Sequence, residues 1–231
     1  MMKLHLFISG TIITWKHLLI RNFPEKARFS VPIPFYLLED EKGLYLFDCG
    51  QKPPPVPPSE DADYIPCVTD GEKAVNLLRK KGFSPENISG IILSHHHEDH
   101  SGGLSDFPQV PCFVRREELG YGSWQKVDDR REWICPAGEY DLFGDGRIVL
   151  LPTPGHTAGH QSLLLTMDNG KKLLLAADAA YTGEALTDVP SESTSAYRQT
   201  IMMLREYAAN RVQIVTGHDP VQLKELQTQF I

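Results

Sequence analysis

The chain is short of the devices that secreted and membrane proteins rely on. Its four cysteines, Cys49, Cys67, Cys112 and Cys135, show no C-x-x-C spacing, which argues against a zinc ribbon or a disulfide framework. Free thiols in a reducing cytosol are the expectation, and with them a cytoplasmic location. No apolar run approaches the roughly 18 residues of a membrane span. The amino-terminal MMKLHLFISGTIITW is interrupted by His5 and lacks a small-residue cleavage pattern, so it reads as a first strand rather than a signal segment. Positive charge is scarce too: 23 Lys and Arg face 30 Asp and Glu, a net charge of -7, which disfavours a non-specific nucleic-acid binder. The one basic run, Arg79-Lys80-Lys81, falls at a predicted helix end, where it suits the dipole. There is no solenoid-period repeat and no compositional break, so residues 1–231 are expected to form one domain.

What is present is a set of short apolar runs separated by Gly, Pro and Asp. Residues 33–50 give two apolar segments about the polar turn 39–43, a β-hairpin, and LLLTMDNGKKLLL gives another about Asp168-Asn169-Gly170. The prolines of 53–64 exclude helix and central strand there, which leaves an extended surface loop whose P-x-x-P spacing is a conceivable partner motif. Thr69-Asp70-Gly71-Glu72 has the form of a capping box and predicts a helix over 70–81. Tyr197, Ile201, Leu204 and Ala208 recur on one face after Pro190-Ser191 and predict a second helix. The expected class is mixed α/β.

Four apolar runs each end at a residue that can bind metal. Ile91-Ile92-Leu93 leads to His95, Ile148-Val149-Leu150-Leu151 to His156, Leu173 to Ala177 leads to Asp178, and Val212 to Val215 leads to His218. In SHHHEDH, residues 94–100, four histidines and two acids crowd seven positions. Protonated they would repel, and buried without partners they would be costly to desolvate. A shared cation removes both problems. Alternation along extended chain turns His95 and His97 to one side, for a first ion, and His96 and Glu98 elsewhere. Asp99 and His100, where the chain turns at Ser101-Gly102-Gly103, can converge on a second ion. His156 then completes the first set, His218 the second, and the two oxygens of Asp178 bridge ions about 3.5–4 Å apart. Gly155 and Gly217, before those histidines, permit close backbone approach. Nitrogen and oxygen donors without cysteine fit two divalent ions, zinc best, with iron, manganese or cobalt as alternatives. His5, His17 and His160 are expected to be ordinary hydrogen-bonded histidines.

The pattern H-x-H-x-D-H at 95–100, TPGHT at 153–157, a strand-ending Asp178 and GHD at 217–219 resembles the metallo-β-lactamase superfamily over about residues 30–220. That resemblance implies an αββα sandwich, two mixed β-sheets face to face with helices on the outer faces and the metals at one edge. It casts Asp48 in LFDCG as a group that orients a ligating histidine, with Cys49 where the family more often has Thr. Class B β-lactamases commonly have cysteine in place of Asp178, and flavodiiron proteins a carboxylate in place of His97. Glyoxalase II has a further helical region, whereas here 13 residues follow His218, and nuclease branches usually add basic surface. N-acyl homoserine lactonases share the D-x-x-Y of Asp178-Ala179-Ala180-Tyr181 and resemble residues 141–165. The departures are His96 and Glu98, where lactonases commonly carry apolar residues.

The resemblance implies a lactonase. Water made acidic by the ions becomes a bridging hydroxide that attacks a lactone carbonyl. Tyr181 donates a hydrogen bond to the oxyanion, and Asp99 passes a proton to the leaving alkoxide. The bland reading of Tyr181 is a core aromatic. Rival functions are a thioester hydrolase of the glyoxalase II kind, another ester or phosphodiester hydrolase, or a non-catalytic metal-binding protein. The expected partner is a small-molecule ester or lactone, with no nucleic acid and no membrane.

Overall fold

Runs such as IPFYLLE and KLLLAA lack polar alternation because the strands they form are covered on both faces. The structure, a computed structural model, describes residues 1–20, 26–121, 131–189 and 193–229. The first sheet comprises β1 (Lys3–Trp15), β2 (Arg28–Asp40), β3 (Gly43–Phe47), β4 (Tyr64–Cys67), β5 (Ile88–Ile92), β6 (Cys112–Phe113) and β7 (Trp133–Ile134), ordered β4-β1-β2-β3-β5-β6-β7. The second comprises β8 (Tyr140–Asp141), β9 (Ile148–Pro152), β10 (Gln161–Thr166), β11 (Lys172–Ala177) and β12 (Gln213–Thr216), ordered β12-β11-β10-β9-β8. Both are mixed: β1, β2 and β3 pair antiparallel while β3, β5 and β6 run parallel, and β11 pairs antiparallel with β10 but parallel with β12. The α-helices are α1 (Lys16–Leu19), α2 (Ala74–Lys80), α3 (Glu98–Ser101), α4 (Ser195–Ala209) and α5 (Pro220–Gln229).

Period two sorts the apolar side chains into layers. Tyr36, Leu38, Phe47 and Ile92 meet Leu150, Leu163, Leu173 and Leu175 between the sheets. Their neighbours face outward, where Phe35, Leu37, Leu46 and Ile91 pack on Ala74 and Leu78 of α2, and Leu174 and Ala176 pack on Ile201 and Leu204 of α4. This is the αββα sandwich. Truncating a fully buried leucine such as Leu174 would cost about 2–5 kcal/mol through lost burial and a cavity.

Three local expectations change. The helix over 70–81 is divided: Glu72 does reach back to the Thr69 amide, at 2.8 Å, but caps a 3₁₀ turn over Asp70–Glu72. Lys73, at ψ 143°, breaks the chain before α2 starts. The hairpin of residues 33–50 begins earlier, at Arg28, because β2 pairs along β1 as well as β3. The carboxy-terminal α5 is a helix that the periodicity did not reveal. Asp219 Oδ1 accepts from Val221 and Gln222 amides, both at 3.0 Å, and Pro220 follows as a suitable first residue. Leu223 and Leu226 enter the inter-sheet core.

The second predicted helix is α4, capped by Thr194, whose side chain accepts from the Tyr197 amide at 3.1 Å; Pro190-Ser191 lie outside the described residues. The proline-rich segment is irregular up to β4, which lies at the sheet edge, where Pro66 is tolerated. The four cysteines are free thiols. Among the described residues, no helix is long and apolar enough to cross a membrane.

Candidate metal centre

The carboxyl ends of β5, β9, β11 and β12 meet at one edge of the sandwich, as the four apolar runs predict. Asp178 leaves β11 through Ala177, whose φ is +45°, next to a register irregularity against β12. Gly217 must be small there, since a Cβ would lie 2.7 Å from Asp178 Oδ1. Gly155, at φ +143°, passes against Tyr197 of α4, where a Cβ would meet backbone at 2.5 Å. Asp99 and His100 differ from expectation in one respect: they stand on the single helical turn α3 rather than in an open turn.

Eight donor atoms form two groups. His95 Nε2, His97 Nδ1 and His156 Nε2 are 2.9–3.1 Å apart, and Asp178 Oδ2 lies 3.3 Å from His156 Nε2 and 3.7 Å from His95 Nε2. His100 Nε2 and His218 Nε2 lie 3.4 Å from Asp99 Oδ2, and 3.2 and 3.1 Å from Asp178 Oδ1. Donors about 2.0–2.1 Å from one tetrahedral ion are themselves about 3.3 Å apart. Both groups have the spacing of a coordination shell, with one Asp178 oxygen in each. His100 Nε2 and Asp178 Oδ1 are buried within the second group, 3.2 Å apart, and with the donor spacing of both groups the residues present fit a pair of cations.

The opposite ring nitrogens are held by the protein. Asp48, at φ +60°, accepts from His100 Nδ1 at 2.8 Å and from the Ser94 amide and hydroxyl at 2.7 and 2.9 Å. His218 Nδ1 donates to the Pro32 carbonyl at 2.9 Å. Ser94 Oγ lies 3.0 Å from His95 Nδ1, and Tyr181 Oη 3.1 Å from His156 Nδ1. Such partners fix ring orientation and tautomer. His160 is hydrogen-bonded to Thr153 at 2.8 Å and His5 to Glu39 at 2.8 Å, the ordinary roles expected of them.

Charge divides the groups. Burial, then the neighbouring His100, pushes His95 well below the usual histidine range, and burial pushes His156 down to about 4. Burial acts on His100 and His218 in the same sense, but the Asp178 and Asp99 carboxylates outweigh it and raise both, His218 to about 10. Burial opposes ionisation of Tyr181 and the nearby carboxylates add to it, so its phenol keeps its proton.

Two cavity lobes meet at His156, Asp178 and Tyr181. One, about 390 Å³, is lined by Ile12, Leu19, Val31, Tyr64, Glu98 and Asp99. The other, about 510 Å³, includes Leu18, Glu184, Asp188 and Thr194. Tyr181 is therefore not a core aromatic. Glu98 does face the first lobe rather than pointing away from the site. Sequence reasoning missed Tyr64 as a cavity residue, the Pro32 carbonyl and Ser94; Tyr64's place in the cavity, the Pro32 bond to His218 and the Ser94 bonds to Asp48 join distant parts of the chain with no local signature.

Residues 31–218 match the family model of the Metallo-beta-lactamase superfamily. The chain belongs to that superfamily. Among its relatives, this metallo-β-lactamase-fold chain is 30% identical to the N-acyl homoserine lactonase AttM of Rhizobium radiobacter, over 94% of this chain and 93% of that protein. It is 35% identical to an N-acyl homoserine lactonase of a Bacillus species, over 82% of each. A solved N-acyl homoserine lactone hydrolase, with N-hexanoyl-L-homoserine at its catalytic metal centre, is similar at TM-score 0.83 and 27% identity, covering 96% of this chain and 95% of that one.

Proposed function

We propose that this chain is a metal-dependent lactonase that opens N-acyl homoserine lactone-type rings. The carrying observation is one buried carboxylate, Asp178, with an oxygen in each of two four-donor groups, beside a phenol that faces the cavity. Lactonase relatives matching along almost the whole chain support the choice of substrate.

In this reading His95, His97, His156 and Asp178 would hold one ion, and Asp99, His100, His218 and Asp178 the other. Nitrogen and oxygen donors alone favour zinc. When bound, the ions supply Lewis acidity and a water that is nucleophilic near neutral pH. With Nε2 turned to the ion, His156 would carry its proton on Nδ1 and donate a hydrogen bond to the Tyr181 oxygen, 3.1 Å away. That leaves the Tyr181 O–H free to donate to the lactone carbonyl oxygen as charge develops there. Asp99 lines the same lobe and would take up the proton shed by the attacking water and hand it to the departing ring oxygen, a poor leaving group without one. The apolar wall of Ile12, Leu19 and Val31 excludes water from the reacting ester. Free thiols support a cytoplasmic location, and residues 1–231 are taken as one catalytic domain.

Metal analysis combined with parallel assays on an N-acyl homoserine lactone, a glutathione thioester and bis-nitrophenyl phosphate tests the proposal. Preference for the lactone with two ions per chain supports it. Preference for the thioester, or no stoichiometric metal, overturns it.

A further inference from the structure

The three histidine nitrogens of the first donor group come from two separate loops, and one buried side chain joins those loops outside the donor set. Glu118 stands on the 3₁₀ turn Arg116–Glu118 after β6 and is 1% exposed. Its Oε2 accepts from the His96 amide at 3.0 Å and from His96 Nδ1 at 2.5 Å. Its Oε1 accepts from the Gly159 amide at 2.7 Å. His96 sits between His95 and His97, and Gly159 lies just beyond His156. The turn itself is braced by Arg115, whose guanidinium donates to the carbonyls of Pro136, Gly138 and Leu150. The His96 ring also stacks on Tyr121, with centroids 5.2 Å apart. A second link, from the Gln161 amide to the Ser94 carbonyl at 2.9 Å, leaves the His156 loop two residues farther along than Gly159, so Glu118 holds that loop nearer its histidine.

We propose that Glu118 is a positioning residue: its two oxygens clamp the His95–His97 loop to the His156 loop and so set the spacing of the three-histidine group. This rests on the reading that those nitrogens hold an ion. Donors must be held to within about 0.5 Å for a productive site, and a carboxylate is the side chain that can accept from both loops at once. Glutamine offers one oxygen, and its amide N–H₂ would face a backbone or ring N–H at the other end. The departure of His96 from the apolar residue common in the resembling lactonases thereby acquires a purpose, since its ring supplies one of the three donors to Glu118.

The test is metal titration by chelator competition on the full chain, with the melting temperature of the metal-free protein measured in parallel. Glu118→Gln should weaken one of the two ions about 10–100-fold and leave the other nearly unchanged. Gly159→Ala offers an independent route, because its methyl would meet Glu118 Cγ and Oε1 at 2.8 Å and displace the carboxylate while every donor remains. It should reproduce the one-ion loss, and remains informative if Glu118→Gln does not fold. His96→Phe, which removes one of the three bonds, should weaken the same ion less. Wild-type affinity for both ions in Glu118→Gln and Gly159→Ala overturns the inference alone. So does equal weakening of both ions with a lowered melting temperature, the signature of a merely structural role. Wild-type protein that takes up no ion overturns the proposed function and this inference with it.

Discussion

The two donor groups share Asp178 but stand in opposite electrostatic conditions. In the three-histidine group the imidazoles are held neutral, with burial pushing His95 well down and His156 down to about 4, and His97 is exposed to the cavity. In the other group all four residues are buried, and Asp178 and Asp99 raise His100 and His218 against the effect of burial. Without a cation, the first group has bare lone pairs and the second holds protons in the cation's place. Equal geometry therefore conceals unequal chemistry: one group is ready for an ion, and the other must release protons to accept it.

Removing what the groups share should have the largest effect. Asp178→Ala should abolish tight binding of both ions and lower lactone hydrolysis about 10³-fold or more, since Lewis-acid stabilisation is worth several kcal/mol. Retention of one tightly held ion, read by elemental analysis, would show that the groups are independent. Tyr181→Phe probes the three-histidine side, where the phenol bonds His156. It should reduce kcat about 10²-fold, the loss typical of an oxyanion donor, when measured with both metal groups saturated. Asp48→Asn should act on the other side alone, weakening its ion about 10–100-fold by loosening His100.

The pH dependence sharpens the contrast. At pH 7 the raised His100 and His218 are protonated in the metal-free protein, so loading their group should release on the order of two protons. Its affinity should climb from pH 6 to 9, while that of the three-histidine group stays flat, as calorimetry in buffers of different ionisation enthalpy would reveal. The sign for the metal-free fold follows by linkage. Stabilisation from a raised histidine is fully present below its ordinary value and is lost as pH rises through the folded value, about 10 for His218. The melting temperature of metal-free protein should fall a few degrees between pH 7 and 10, and a flat profile would remove the second group's proton-holding character.

Legibility differed by the range of the interaction. The seven donor residues were readable because each lies at the end of an apolar run or within one heptapeptide, where strand period and spacing act locally. The layered sandwich was not readable from periodicity, since strands covered on both faces lose the alternation that would mark an inner face; it came from the resemblance. The division of the 70–81 helix was hidden in the backbone of Lys73, which the capping box does not specify. The α5 helix had a usable signal in Asp219-Pro220, a cap residue followed by a proline suited to the first turn, but only two of its apolar residues reach the core.

Residue type and order by themselves determined the kind of groups present here: nitrogen and oxygen donors at four strand ends and a tyrosine three residues after the acid that both groups share. Tertiary structure alone decided which nitrogen of each ring faces inward, that Glu98 turns toward the cavity, and that Glu118 and the Pro32 carbonyl support the donors. Those contacts join residues 22, 41 and 186 positions apart. No local spacing encodes them, because they exist only once the two sheets have packed and brought separate loops to the same edge.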